Sequence, residues 1–417
     1  MKAFRIDRAQ NVKDKIQTSD LRPQSSEQRT HTELFREELK ELKHKSLLRH
    51  LTCIESSQGP RITIKGNTFL NFSSNDYLNL SGHGEVVKAA CFAMQKYGVG
   101  SGSSRLLSGT IEPHVMLERT VARFKDTHKA LVFNTGYAAN TGLIPVITDE
   151  QSVIFSDELN HASIIDGARL SKAETRIYKH NDISHLEELM KTSLDDKSIL
   201  RRLIVTETVF SMDGDIAPLR SILKLSKKYK ALLIIDDAHG TGVLGNTGRG
   251  GLEHFNIKDS GIVQMGTLSK AVGCFGAFVA GKKSLIDLLV NRSKSFMYST
   301  ALPPAVAAAA AMALHIINTS SSRLRKRLWR NRERLFNGLE ELGFDTLQSE
   351  TPIIPILTGN VKDTLRFGKY LYKNNIYAPA IRPPTVPEDT CRIRFSVTAG
   401  HTSDDIDRVI DLLRQYK

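Results

Sequence analysis

From about residue 130 the chain alternates short, continuously apolar runs with helical stretches. The run 130–133 passes through a glycine turn into a helical stretch at 137–147. Run 153–155 closes on Ser156 and Asp157, and run 203–205 closes on Thr206, Glu207 and Thr208. Run 231–235 closes on Asp236, Asp237, Ala238 and His239, and run 262–265 on Gly266, Thr267, Leu268, Ser269 and Lys270. Strands separated by helices predict an α/β fold with a mainly parallel sheet covered on both faces. The runs do not alternate with polar residues, which suits strands buried on both sides. Ligands of such sheets sit beyond the carboxyl ends of the strands. One capped strand end is ordinary; five ends rich in ionisable residues and glycine predict one crevice.

After about residue 318 the pattern changes. A charged helical stretch at 322–342 precedes an apolar strand at 353–357, a helix near 361–374, a Pro-rich loop, a strand at 392–397 and a last helix from Ser403. This predicts a smaller C-terminal α+β domain at 318–417, after a large domain at 91–317 and an N-terminal segment at 47–90. Residues 1–46 form an N-terminal arm. Its first 30 residues mix both charge signs with Gln and Ser, which predicts a mobile start; transit peptides are poor in acidic residues.

The 417 residues allow two or three domains, and 40% hydrophobic with 25% charged residues excludes wholesale disorder. The longest apolar stretch, 305–317, is too short to cross a bilayer, so no membrane partner is expected. Lys and Arg exceed Asp and Glu by 58 to 45, a net +13 that suits an anionic partner. The basic residues are spread along the chain and there is one Trp, so no nucleic-acid partner is expected. Cys53, Cys91, Cys274 and Cys391 form no CxxC pair. That argues against a zinc site or a disulfide framework, and fits a reducing, cytoplasmic setting.

Two motifs mislead. Residues 240–245 spell GxGxxG after a strand, but a dinucleotide fingerprint must open a helix, and the chain continues with Gly248, Gly250 and Gly251. Residues 276–282 have the GxxxxGK spacing of a P-loop, yet Lys283 stands where a cation-binding hydroxyl is needed.

A different constellation is coherent. A buried lysine such as Lys270 can lose its proton and form a Schiff base. A buried carboxylate such as Asp236 can hold a cationic ring nitrogen, and backbone N–H groups at a helix start near Gly136 and Tyr137 can cradle a phosphate. Together these are what binding pyridoxal 5'-phosphate (PLP) requires of a protein.

The segments NFSSNDYL (71–78), GSGSSRLLSGT (100–110), FNTGYAAN (133–140), DELNHAS (157–163), VFSMDGD (209–215), DDAHGTGVLG (236–245), TLSKAVG (267–273) and IRPPTVP (381–387) resemble the α-oxoamine synthases. These are PLP-dependent acyltransferases of the aspartate-aminotransferase fold, fold type I. The resemblance spans about residues 47–417. It implies that Lys270 forms the Schiff base, Asp236 pairs with the pyridine nitrogen, His239 bonds the phenolic oxygen and His161 stacks on the ring. Ser211 would line the ring edge, and Gly136, Tyr137 and Thr267 would hold the phosphate. Arg394 would clamp the amino-acid carboxylate, a task that suits a guanidinium fork. Thr385 and Arg49 would border the acyl substrate. The resemblance also implies a homodimer, with Ser299 and Thr300 reaching the neighbour's phosphate. SSNDYL, DDAHGTG and IRPPTVP look most like the members that join L-alanine to a pimeloyl thioester on acyl carrier protein or CoA, releasing CO2. Sister activities using glycine with acetyl-CoA, or serine with a long acyl chain, are the alternatives.

Overall fold

The computed structural model describes residues 30–320 and 322–416. The expectation of a mobile start falls on residues 1–29, outside the described residues. The chain divides into two compact units, Met1–His50 and Leu51–Lys417. The described part of the first carries a helix, His31–His44. Thr30 starts it with a capping box, accepting from the Glu33 backbone N–H while the Glu33 carboxylate accepts from the Thr30 N–H.

The second unit contains strands β1 (Arg61–Ile64), β2 (Asn67–Asn71), β3 (Lys129–Phe133), β4 (Ser152–Asp157), β5 (Glu174–Tyr178), β6 (Arg201–Glu207), β7 (Leu232–Asp236), β8 (Val263–Thr267), β9 (Ala277–Gly281), β10 (Ile353–Gly359), β11 (Ile376–Tyr377), β12 (Ala380–Ile381) and β13 (Cys391–Ser396). Seven of them form the large sheet, in the order β3-β9-β8-β7-β6-β4-β5. All neighbours there are parallel except β9, which runs antiparallel to β3 and β8. Successive side chains point to opposite faces, and both faces are covered. Leu131 and Phe133 join a core under helices Gly136–Ile147 and Ala162–Leu170, while Ala130 and Val132 join one under Glu112–Phe124 and Pro304–Thr319.

The apolar stretch around 305–317 is that last helix, with eight buried positions packed on the helices Gly84–Tyr97 and Glu112–Phe124. Among the described residues no single helix is long and apolar enough to cross a membrane. The C-terminal region follows the predicted order: helix Ser322–Glu341, β10, helix Val361–Lys373, β13 and helix Ser403–Tyr416. Its antiparallel sheet runs β10-β13-β12. Its core also takes in Leu70 and Phe72, because β2 pairs with β11.

Neither misleading motif builds a nucleotide loop. Residues 276–282 are the lead-in and body of β9. The glycine-rich loop after β7 wraps a buried ion pair, Lys125 Nζ to Asp237 Oδ2 at 2.6 Å. Asp237 also accepts from Thr241 Oγ1 and Gly251 N. Gly250, at φ +99°, passes so close that a Cβ there would lie 1.7 Å from Asp237 Oδ2. Only glycine fits that approach.

Candidate active site

The carboxyl ends of β4, β6, β7 and β8 face one crevice, and the chain beyond them supplies its chemistry. A cavity of about 810 Å³ is lined by His161, Ser211, His239, Lys270, Thr385 and Arg394, with Asn75 among its other walls. Six of the sequence-predicted residues are therefore brought together.

Lys270 follows β8 on a closed turn. Leu268 N donates to Gly276 O, Cys274 N to Leu268 O and Gly273 N to Lys270 O, each at 2.8 Å. Among the described residues no side chain pairs with its ammonium within hydrogen-bond distance. Burial lowers the Lys270 pKa from the ordinary lysine range, and the nearby Arg394 charge adds to this against the pull of Asp236 and Glu207.

Asp236 ends β7 and is 4% exposed. Its carboxylate accepts from Asn140 Nδ2 at 2.9 Å and from Ala238 N at 3.0 Å. Asn140 also donates to Ser163 Oγ, tying the helix that starts at Gly136 to the helix that starts at Ala162. Those bonds fix the aim of the carboxylate while both oxygens keep lone pairs.

His239 is buried, and its Nδ1 lies 2.8 Å from the Tyr77 hydroxyl. Arg394 Nη2 donates to the same hydroxyl at 3.4 Å and to Asn75 Oδ1 at 3.1 Å. The Tyr77 hydroxyl thus joins Arg394 to His239, and it also reaches Asn75 Oδ1 at 3.4 Å. Burial, with Lys270, Arg394 and His161 nearby, holds the His239 pKa well below the ordinary range. Burial also pushes the Tyr77 phenol up to about 12, so its proton stays in place. The Arg394 Nε is buried without a partner among the described residues.

His161 caps the helix Ala162–Leu170, and its Nδ1 accepts from Ser163 N at 3.2 Å. Its own N–H donates to Glu207 Oε1 at 2.7 Å. Burial within the crevice, together with the Lys270 charge, lowers its basicity against the pull of Asp236. The Ser211 loop is held from below. His180 bonds Asp157 Oδ1 at 2.9 Å and Asp215 Oδ2 at 2.8 Å, with its ring edge-on to Phe210.

Other predicted residues are held within their own elements. Gly136 and Tyr137 open a helix whose N-cap, Thr135, accepts from Ala138 N, and the Tyr137 hydroxyl bonds Asp166. Thr267 ends β8, and its hydroxyl is engaged by Ser269 and Gly276 O. Ser299 and Thr300 border a separate small cavity with Asn134, whose amide donates to Thr300 O at 2.9 Å. Arg49 belongs to the first compact unit. Tyr77, Asn75, Asn140 and Glu207 are site residues that sequence reasoning did not single out, although each lies in a quoted motif or strand end.

The profile of the aminotransferase class I and II family, as its description reads, matches residues 67–413. The chain belongs to this family. Among its relatives is the 8-amino-7-oxononanoate synthase of Geobacter sulfurreducens, 47% identical over 374 residues, covering 89% of this chain and 95% of that protein. The Thermoanaerobacter pseudethanolicus protein of the same name is 46% identical over 378 residues, covering 91% and 95%. Among solved structures, a serine palmitoyltransferase of S. paucimobilis with a bound PLP-myriocin aldimine has a TM-score of 0.86 at 28% identity, covering 91% of this chain and 96% of that one. The 8-amino-7-oxononanoate synthase of Francisella tularensis has a TM-score of 0.72 at 29% identity, covering 84% and 97%. The α/β architecture expected from the sequence is thus the PLP-dependent type I fold.

Proposed function

We propose that this chain is a PLP-dependent acyltransferase that condenses L-alanine with a pimeloyl thioester. The products are CO2 and 8-amino-7-oxononanoate, an intermediate of biotin synthesis. The observation that carries the reading is Lys270: a buried amine of lowered basicity facing the cavity that Arg394, His161 and His239 also line. The residues present fit the cofactor. A lysine, a carboxylate aimed by two donors, a buried histidine and a helix N-terminus answer its aldehyde, ring nitrogen, phenolic oxygen and phosphate. When bound, PLP supplies an electron-withdrawing ring that stabilises negative charge on the amino-acid α-carbon.

The chain's own residues then divide the work. Lys270 Nζ holds the cofactor and afterwards takes the α-proton, which its lowered basicity favours by leaving more free amine. Asp236 keeps a proton on the ring nitrogen. His161 packs on the ring face and His239 bonds the phenolic oxygen. Arg394 takes the substrate carboxylate, with its unpaired Nε offering a further donor. Thr385 and Arg49 border the acyl group, and Gly136, Tyr137 and Thr267 hold phosphate.

The acyl carrier is acyl carrier protein or CoA, both anionic, which the +13 balance suits. The free cysteines accord with a cytoplasmic setting. The active form is a homodimer in which Ser299 and Thr300 reach the neighbour's phosphate. Three exposed apolar side chains support this. The segments carrying Val99, Leu107 and Tyr298 are joined by the Ser104–Thr300 bridge, and all three side chains are at least 75% exposed.

The test is CO2 release and aminoketone formation from pimeloyl thioester with L-alanine, glycine or L-serine. Turnover with L-alanine is expected. Preference for glycine or serine would move the chain to a sister activity. Asp236→Asn is expected to keep a bound chromophore but lose about 100-fold or more in turnover; full turnover would sink the Asp236 assignment.

A further inference from the structure

A second cavity, of about 290 Å³, shares Ser211, Met212, Thr385, Val386 and Pro387 with the reaction cavity. Its other walls include Phe210, Leu347 and Leu357, so it is largely an apolar chamber. Two charged side chains reach it, Asp213 and Arg392.

Arg392 is 4% exposed. Its Nη1 donates to Asp213 Oδ1 at 2.6 Å and to Met212 O at 3.3 Å, and its Nε donates to Thr390 O at 2.9 Å. Nη2, with two hydrogens, has no partner among the described residues. Because Arg392 lines the chamber, this free end of its guanidinium is available to an acceptor there. Placement adds to the argument. Arg392 and Arg394 are two positions apart on β13 and so share one face, their Cα atoms about 7 Å apart. One strand presents one guanidinium to the reaction cavity and a second to the adjoining chamber.

An apolar chamber next to the reaction site, with a half-engaged guanidinium in its wall, fits a chain that is hydrocarbon in the middle and anionic at its far end. An acetyl group is too short to enter it. A fatty acyl chain would leave Nη2 unmet. A seven-carbon dicarboxylic acyl group satisfies both requirements. We propose that this chamber seats the far half of the acyl chain and that Arg392 binds its terminal carboxylate, which makes Arg392 a specificity residue. This rests on the pimeloyl reading above and extends it to how the far end is recognised.

The experiment compares pimeloyl-CoA with heptanoyl-CoA, equal in length but lacking the terminal carboxylate. Holoenzyme is assayed with L-alanine, and calorimetry gives the two thioester dissociation constants. Wild type is expected to favour pimeloyl-CoA by about 100-fold or more in kcat/KM, because a site built to bond a polar group strongly rejects an analogue lacking it. Arg392→Gln should cut that preference at least ~10-fold through KM and dissociation constant, with heptanoyl-CoA unchanged and Arg392→Lys recovering part. Leu357→Trp, which fills the chamber, should shift the preference towards the shorter adipoyl-CoA whether or not Arg392→Gln folds. The alanine-induced change in the visible spectrum should survive in every variant. Retained preference in Arg392→Gln, equal losses for both thioesters, or an unaltered chain-length profile in Leu357→Trp would overturn the proposal. Wild-type turnover of pimeloyl-CoA without preference would overturn the Arg392 assignment alone. No turnover of the pimeloyl group on either CoA or acyl carrier protein would take the parent reading down as well.

Discussion

Glu207 is a second buried carboxyl group beside the site. It ends β6 directly opposite Asp236 of β7 and is 2% exposed. Burial, and the Asp236 charge beside it, raise its pKa well above the carboxylate range, against the pull of Lys270. Burial and the neighbouring carboxylate thus both favour the protonated form of Glu207. Its task is to accept the His161 N–H, which a Gln carbonyl does equally well. Glu207→Gln is expected to keep stability, and activity within a few-fold. Glu207→Ala, leaving that N–H unmet, should lose about 1–3 kcal/mol in urea melts. A Gln variant that is stable but inactive would show that the acid takes part in the chemistry. At this scale the sequence was informative wherever an ionisable residue closes an apolar run, as at Asp236, His239 and Lys270. It was silent on Glu207, whose meaning depends on strand register. It was equally silent on Tyr77, which meets His239 across 162 positions of chain.

Between elements, the cluster of His180, Asp157 and Asp215 joins the end of β4 to the loop that carries Ser211 and Met212. Burial opposes the His180 charge, but the hydrogen bonds and charges of the two aspartates outweigh it and push its pKa up to about 10. A raised folded-state value means that the cation stabilises the fold fully below the ordinary His range of about 6.5. That contribution is lost as pH rises towards 10. The melting-temperature gap between wild type and His180→Gln should therefore be widest near pH 6 and nearly closed at pH 10. A pH-independent gap would show that packing against Phe210, not charge, holds the loop. The long helices and buried parallel strands were legible because their apolar periods are strong. β5 was not, since Glu174 and Arg176 break the apolar pattern of an exposed edge strand. β9 was hidden because AFVAG is small-residue sequence whose strand state comes from pairing with β3 and β8.

For the whole molecule, chain order and spatial order part company. Leu70 and Phe72 complete the core of the C-terminal region, a partnership that no local pattern announces. The exposed Val99, Leu107 and Tyr298 are likewise unremarkable in sequence, and their segments are joined only once the chain is folded. Leu107→Asp should halve the sedimenting mass and weaken phosphate retention, with far-UV circular dichroism unchanged; a wild type that sediments as one chain would remove the dimer from the proposal. The turn around Lys270 carries a last consequence. Its backbone is cross-linked to itself between Leu268 and Gly276, so the lysine is a flexible arm on a rigid post. The proposed passage from anchor to base then takes rotations about side-chain bonds, on the picosecond-to-nanosecond scale, with no main-chain rearrangement on the slower scale of loops. On that proposal the change of role is far faster than typical turnover, and the clock of the reaction would be set by bond-making and by the arrival and departure of substrates.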